Sequence, residues 1–207
     1  MVTKESLSLA TVDGLLKSLL VLARSVDRTL DTRVVESAAG ERLSASKVQI
    51  LRLLGHCGGQ TSSQIARFLA VSKPAVSQII DAMVLSKQVS RKAAREDRRE
   101  VLISLAKRGR EMFQAIQREQ RHVVRVAARS VQRGNPRQWT QMCMELSGAI
   151  AAAGGAYEQF CLQCLAHDEG ICVNPAEDES CDYVRNRSRS SSRKAVKKKK
   201  VKKTSKR

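Results

Sequence analysis

Four cysteines near the end of the chain carry its clearest chemistry. Cys161, Cys164, Cys172 and Cys181 stand in FCLQCLAHDEGICVNPAEDESCDYV with the spacing C-x2-C-x7-C-x8-C. Four thiolates this close in sequence can close a tetrahedral site, and a C-x2-C pair in a reducing compartment usually means zinc. The spacing therefore favours Zn2+. Sets of four cysteines also hold iron–sulfur clusters, which would make the segment a redox or iron sensor. Unligated, oxidation-prone thiols are the bland alternative. Gly170 and Asn174-Pro175 supply turns that bring Cys172 and Cys181 round to the first pair, and His167 stands in reserve as a fifth donor. Cys57 and Cys143 fall in helical patterns and read as buried small hydrophobes. His56 and His122 read as ordinary helix residues.

The second chemically telling feature is charge. The chain has 207 residues with 38 Lys+Arg against 20 Asp+Glu, a formal charge of +18. Residues 185–207 contribute +13 with no acid, residues 161–184 contribute −6 with no base, and residues 1–160 contribute +11. A basic body with a more basic tail suits a polyanion, because each neutralised phosphate releases counterions. The acidic cysteine segment is unsuited to touching that polyanion. Residues 185–207 lack core-forming side chains and read as a disordered basic tail that adds sequence-independent affinity. Hydrophobic residues make up 42% and aromatics 3%, which excludes a wholly disordered chain and disfavours a large β-sandwich. No apolar run is long enough to span a bilayer, and the first residues lack a secretory pattern. A cytoplasmic, nucleoid-associated protein is expected. No Gly-rich phosphate loop, nucleophile elbow or paired catalytic carboxylates are recognisable, so no enzyme is expected.

Hydrophobic spacing supplies the elements that position these groups. Leu7 to Val35 predicts a helix with a wide apolar stripe, followed by a loop over 36–44. Ala45 to His56 predicts a second helix, N-capped by Ser44 and stopped by Gly58-Gly59. Thr61 and Gln64 form a capping box for a short third helix whose inner face is Ile65, Phe68 and Leu69. Ser72 caps a fourth helix with Pro74 in its first turn. Its core side is Val76, Ile79, Ile80, Met83 and Val84; its outer side is Lys73, Ser77, Gln78 and Asp81. Val89–Ala93 and Val101–Leu105 predict a hairpin with the charged tip AREDRRE. A long helix is expected from Lys107 to about Gln132. Asn135 and Pro136 then start a last helix reaching about Leu165, although Gly154-Gly155 interrupts it.

Two helices at a short turn followed by a basic hairpin make a winged helix-turn-helix. The fold expected is mainly α: a winged helix-turn-helix with long N- and C-terminal dimerisation helices. The chain divides into an N-terminal dimerisation helix (1–42), the DNA-binding domain (43–106), C-terminal dimerisation helices (107–160), the four-cysteine segment (161–184) and the basic tail (185–207). The outer face of the fourth helix fits a major groove. Gln78 can read adenine, Ser77 a base edge or phosphate, and Lys73 guanine or phosphate. Ser72 opens that helix, and Ser62 and Ser63 offer a phosphate the N-terminus of the preceding one. Each of these, taken singly, could equally be a solvated surface group.

The stretch LSASKVQILRLLG…TSSQIARFLAVSKPAVSQIIDAMV…VSRKAAREDRREVLISLAKRG resembles the MarR family of bacterial transcription regulators. VSKPAVSQIIDAM resembles the family's recognition helix, and Asp97–Arg99 its wing. The resemblance implies a regulator, read as a repressor, on double-stranded DNA; the first helix and the last two are too apolar to stand alone and imply a homodimer, whose two-fold symmetry implies a palindromic site. The resemblance also implies that Asp97 buttresses the wing while Arg98 or Arg99 enters a minor groove, with Arg91 and Arg95 nearby. Members often answer to a small phenolic or lipophilic effector or to cysteine oxidation. The chain departs from the pattern at Ser86-Lys87-Gln88, where the family carries Lys-Gly-Leu, and at Leu105-Ala106, where it carries Leu-Thr. Ser104 would have to cap the following helix in place of that threonine. The cysteine segment and the tail lie outside the pattern. The alternative is a nucleoid-associated, architectural protein binding non-specifically through its tail.

Overall fold

The computed structural model describes residues 8–93 and 101–155. Helix α1 (Leu9–Val26) runs into a π-helical stretch (Asp27–Arg33) and then α2 (Val34–Ala39). Helices α3 (Ala45–Cys57), α4 (Ser62–Leu69) and α5 (Lys73–Leu85) follow, then strands β1 (Val89–Ala93) and β2 (Val101–Leu105), and finally α6 (Lys107–Ser130) and α7 (Pro136–Ala153). The arrangement is a mainly α winged helix, with one two-stranded antiparallel hairpin as its sheet. Among the described residues, no single helix is long and apolar enough to cross a membrane.

Local chemistry explains the boundaries. Ser8, Ser44, Thr61, Ser72 and Asn135 each accept a backbone N–H three residues on, and Thr61 and Gln64 close a reciprocal capping box. Pro74 and Pro136 sit in the first turns, where no N–H is needed. The hairpin pairs Val89 with Leu105, Arg91 with Ile103 and Ala93 with Val101. Gln60 adds one bridge to its outer side, exchanging two backbone hydrogen bonds with Ile103 at 3.0 and 2.8 Å.

The core joins the winged helix to its flanks. Ile50, Leu51, Ile65, Val76, Ile80, Met83 and Ile103 are buried together, with Val35 from α2 and Met112, Phe113 and Ile116 from α6. Predicted inner residues Phe68 and Leu69 are buried too, while Ile79 and Val84 pack half-buried against this core. By contrast, α1 buries nothing, and Leu9, Val12, Leu15, Leu16, Leu20, Val21, Leu22 and Val26 all stand exposed.

Several expectations need correction. The first helical run does not end at Val35 but continues to Ala39, and Gly40 in a left-handed conformation (φ +67°) ends it, so the loop is confined to 40–44. The π stretch was not legible as such. It widens one turn and leaves the Leu30 carbonyl to accept from Gln120 Nε2 of α6 at 2.9 Å. α6 ends at Ser130 rather than Gln132. The helix from Pro136 stops at Ala153 with Gly154 as its cap and Gly155 at φ +68°, well short of Leu165. Ser104 does not cap α6, because it lies inside β2; Ala106 is the N-cap and offers no side-chain acceptor. That helix start is tied down instead by the Ala106 N–H donating to the Gln88 carbonyl at 3.0 Å. Cys143 is exposed rather than buried, while Cys57 packs half-buried against the core. His56 is not idle either: its ring meets Phe113 edge-on, centroids 5.3 Å apart.

Candidate nucleic-acid interface

The geometry starts from the turn between α4 and α5. Ala70 adopts a left-handed conformation (φ +55°), its N–H and that of Val71 close off α4, and Ser72 opens α5. The two helices meet at 109°, as in helix-turn-helix units. Val76, Ile80 and Met83 lock one side of α5 into the core. The opposite side presents Ser72, Lys73, Ser77, Gln78 and Asp81, all exposed. Ser77 and Asp81 lie one turn apart, so the outer face forms one polar strip. Ser62 is half-buried and Ser63 exposed in the first turn of α4. The hairpin stands beside this strip.

Of the predicted DNA-facing residues, the fold thus brings Ser62, Ser63, Ser72, Lys73, Ser77 and Gln78 onto the two helices of the unit. Arg91 is placed differently from its expected role. Its register opposite buried Ile103 puts it on the same strand face as buried Val89, and its Nη1 donates to Asp81 Oδ1 at 2.6 Å. Strand alternation could have revealed the shared face, since Val89 and Arg91 are two positions apart on one strand. Arg95, Asp97, Arg98 and Arg99 lie outside the described residues. So do Cys161, Cys164, Cys172 and Cys181. Among the described residues no group of histidine, cysteine and acidic side chains is arranged to hold a metal.

A second network joins the base of the hairpin to the loop that follows α2. Gln88 is fully buried and donates from Nε2 to Glu41 Oε1 at 3.1 Å. Arg108 donates to the same oxygen at 2.7 Å and to the Ser86 carbonyl at 3.1 Å. Sequence reasoning noticed the unusual Ser86-Lys87-Gln88 but not its partners: Glu41 is 47 positions from Gln88, and Arg108 is 22 from Ser86. Nearby, a cavity of about 390 Å3 opens between the π stretch, α2 and α3. Asp27, Asp31, Glu36, Arg42 and Arg52 line it, with Asp31 and Arg52 paired to each other.

Residues 43–101 match the family model described as MarR family. Over these residues the winged helix-turn-helix of this chain is similar to the MarR family. Proteins of this family are transcription regulators rather than enzymes. Among solved structures, the chain resembles RV1404 from Mycobacterium tuberculosis at 22% identity and TM-score 0.54, over 74% of this chain and 97% of that one. It also resembles a MarR family protein from Bacillus stearothermophilus at 19% identity and TM-score 0.51, over 61% and 86% of the two chains. At such identities the likeness concerns the fold. No curated protein matches the sequence. The MarR fold is that of a DNA-binding regulator, and in this chain the family match ends before the cysteine segment.

Proposed function

We propose that this MarR-family regulator is a repressor that grips a palindromic operator as a homodimer in the cytoplasm, at the nucleoid. The observation that carries the reading is the two-sidedness of α5. One side is locked in the core, and the other offers Lys73, Ser77 and Gln78 in one strip beside a basic hairpin. Gln78 suits an adenine edge and Ser77 a base edge or phosphate; Ser62, Ser63 and Ser72 suit phosphates at the helix starts. Arg98 or Arg99 would enter the flanking minor groove with Asp97 as buttress and Arg95 beside them. The dimer is supported by α1, whose exposed leucines and valines each return about 1 kcal/mol or more when a twin covers them.

Titration against a palindromic duplex selected from a random pool and against a mixed-sequence duplex, at two salt concentrations, tests the reading. A specific regulator binds the selected duplex far more tightly at both. Equal affinity would refute it and favour the architectural reading, which the +13 charge of residues 185–207 supports. In the regulator reading that tail adds affinity without sequence preference and steepens the salt dependence.

Cys161, Cys164, Cys172 and Cys181 would hold Zn2+, on the strength of their spacing, with an iron–sulfur cluster as the alternative. Metal analysis and a visible spectrum of anaerobically purified protein decide: one zinc per chain and no colour fits the first, a brown protein the second, and a metal-free chain neither. A small-molecule effector would find the cavity beside α3 lined by five charged side chains. Val35, Leu43, Ala45 and Val48 line it as well, so it offers a ligand both charged and apolar contacts.

A further inference from the structure

We propose that Asp81 is a positioning residue for the wing and acts through Arg91; the inference rests on the DNA-binding reading above. α5 carries one acid, Asp81, and it stands on the exposed strip that would face DNA. A carboxylate there is repelled by phosphates, so its place calls for a compensating role. Arg91 supplies it. The arginine sits at the middle of β1, on the face shared with Val89, and its guanidinium reaches across to Asp81 at 2.6 Å.

The position along the strand gives the pair leverage. β1 is buried at Val89 and exposed from Arg91 to Ala93, where the described strand leads into the charged tip. The burial of β1 therefore gives out before Arg91, while Ile103 opposite it is still buried, so the ion pair sits level with the last buried residue on the tip side of the hairpin. Both partners are partly exposed, with side-chain exposures of 40% for Arg91 and 57% for Asp81. Such pairs contribute little to stability. The effect therefore falls on where the wing points. Arg91 in this view is not spent on a phosphate, and Asp81 does not read a base, although a carboxylate could accept from a cytosine amino group.

The test uses the full chain and three variants: Asp81→Asn, Arg91→Gln, and the exchanged pair Asp81→Arg with Arg91→Asp. Each is titrated against a duplex selected from a random pool by the wild type and against a mixed-sequence duplex, with hydroxyl-radical footprints of the minor groove and urea unfolding alongside. Both single variants are expected to weaken binding to the selected duplex by about 5-fold or more, two wings contributing per dimer. They keep wild-type urea midpoints, bind the mixed-sequence duplex within about 2-fold of wild type, and lose protection at the outer minor groove. The exchanged pair recovers both affinity and protection. Equal weakening of Arg91→Gln on both duplexes with a shallower salt slope overturns the proposal, because it makes Arg91 a phosphate contact. A changed base preference in a pool selected by Asp81→Asn overturns it by making Asp81 a base reader. An exchanged pair that recovers nothing also overturns it. A wild type that selects no sequence at all sinks the regulator reading and this one with it.

Discussion

Gly109→Ala is expected to cost about 3–5 kcal/mol of folding stability, as overpacking combined with a lost buried hydrogen bond. The magnitude follows from where the new methyl would go. A Cβ at Gly109 would lie 1.9 Å from the Gln88 carbonyl oxygen and 2.9 Å from its carbon. That obstacle is backbone, so no rotamer change relieves it. The same carbonyl accepts the Ala106 N–H at 3.0 Å and so holds the start of α6, which has no side-chain cap. Gln88 is anchored on its other side by its N–H donating to the Met83 carbonyl at 2.8 Å, and its side chain is fully buried. Any shift that admits the methyl loosens α6 from the hairpin. Gly55→Ala is the control. Its Cβ would meet Phe113 ring atoms at 2.4–2.7 Å, and a ring can swing aside, so a cost nearer 1–3 kcal/mol is expected. Urea unfolding followed by circular dichroism, at one fixed protein concentration, gives both values. A loss below about 1 kcal/mol for Gly109→Ala, or a larger loss at Gly55, would refute the claim that a rigid backbone approach fixes this junction.

Lys87 holds φ +57° where the family carries glycine, so Lys87→Gly should stabilise by about 0.5–1 kcal/mol, read as a higher urea midpoint at unchanged slope. Thr61→Ala removes the acceptor for the Gln64 N–H and half of the capping box; a loss of about 1 kcal/mol in the same assay is expected. Gln78→Ala should weaken binding to a selected operator by about 1–3 kcal/mol while leaving mixed-sequence DNA nearly unaffected. Lys73→Ala, if the lysine meets a phosphate, lowers affinity for both and reduces the salt slope by about one.

Much of the fold was legible because local chemistry and long-range packing agree over most of it. Ser44, Thr61, Ser72 and Asn135 are helix starts by side-chain type alone, and each caps its helix in the structure. Val89–Ala93 and Val101–Leu105 were bounded correctly because a charged tip separates two runs of strand-forming residues. Legibility failed where one residue serves a distant partner. Arg91 was read as a DNA-binding residue of the wing because it lies on a basic hairpin. Its partner Asp81 lies on another element, and strand alternation gives Arg91 a face without naming that partner. Gln88 in a leucine position looked like a turn variant. It is instead a buried amide held by Glu41, which Arg108 also holds. The π stretch failed for a different reason. DRTLDTR has no compositional mark, and its wider turn depends on contacts such as the one between the Leu30 carbonyl and Gln120. The outer strip of α5 was readable because the same 3.6-residue period that buries Val76, Ile80 and Met83 must expose Lys73, Ser77 and Gln78. Periodicity assigns a face to every residue of a helix at once. It assigns no partner to any of them, and the two networks that tie the wing to α5 and the hairpin base to the loop after α2 are made of partners.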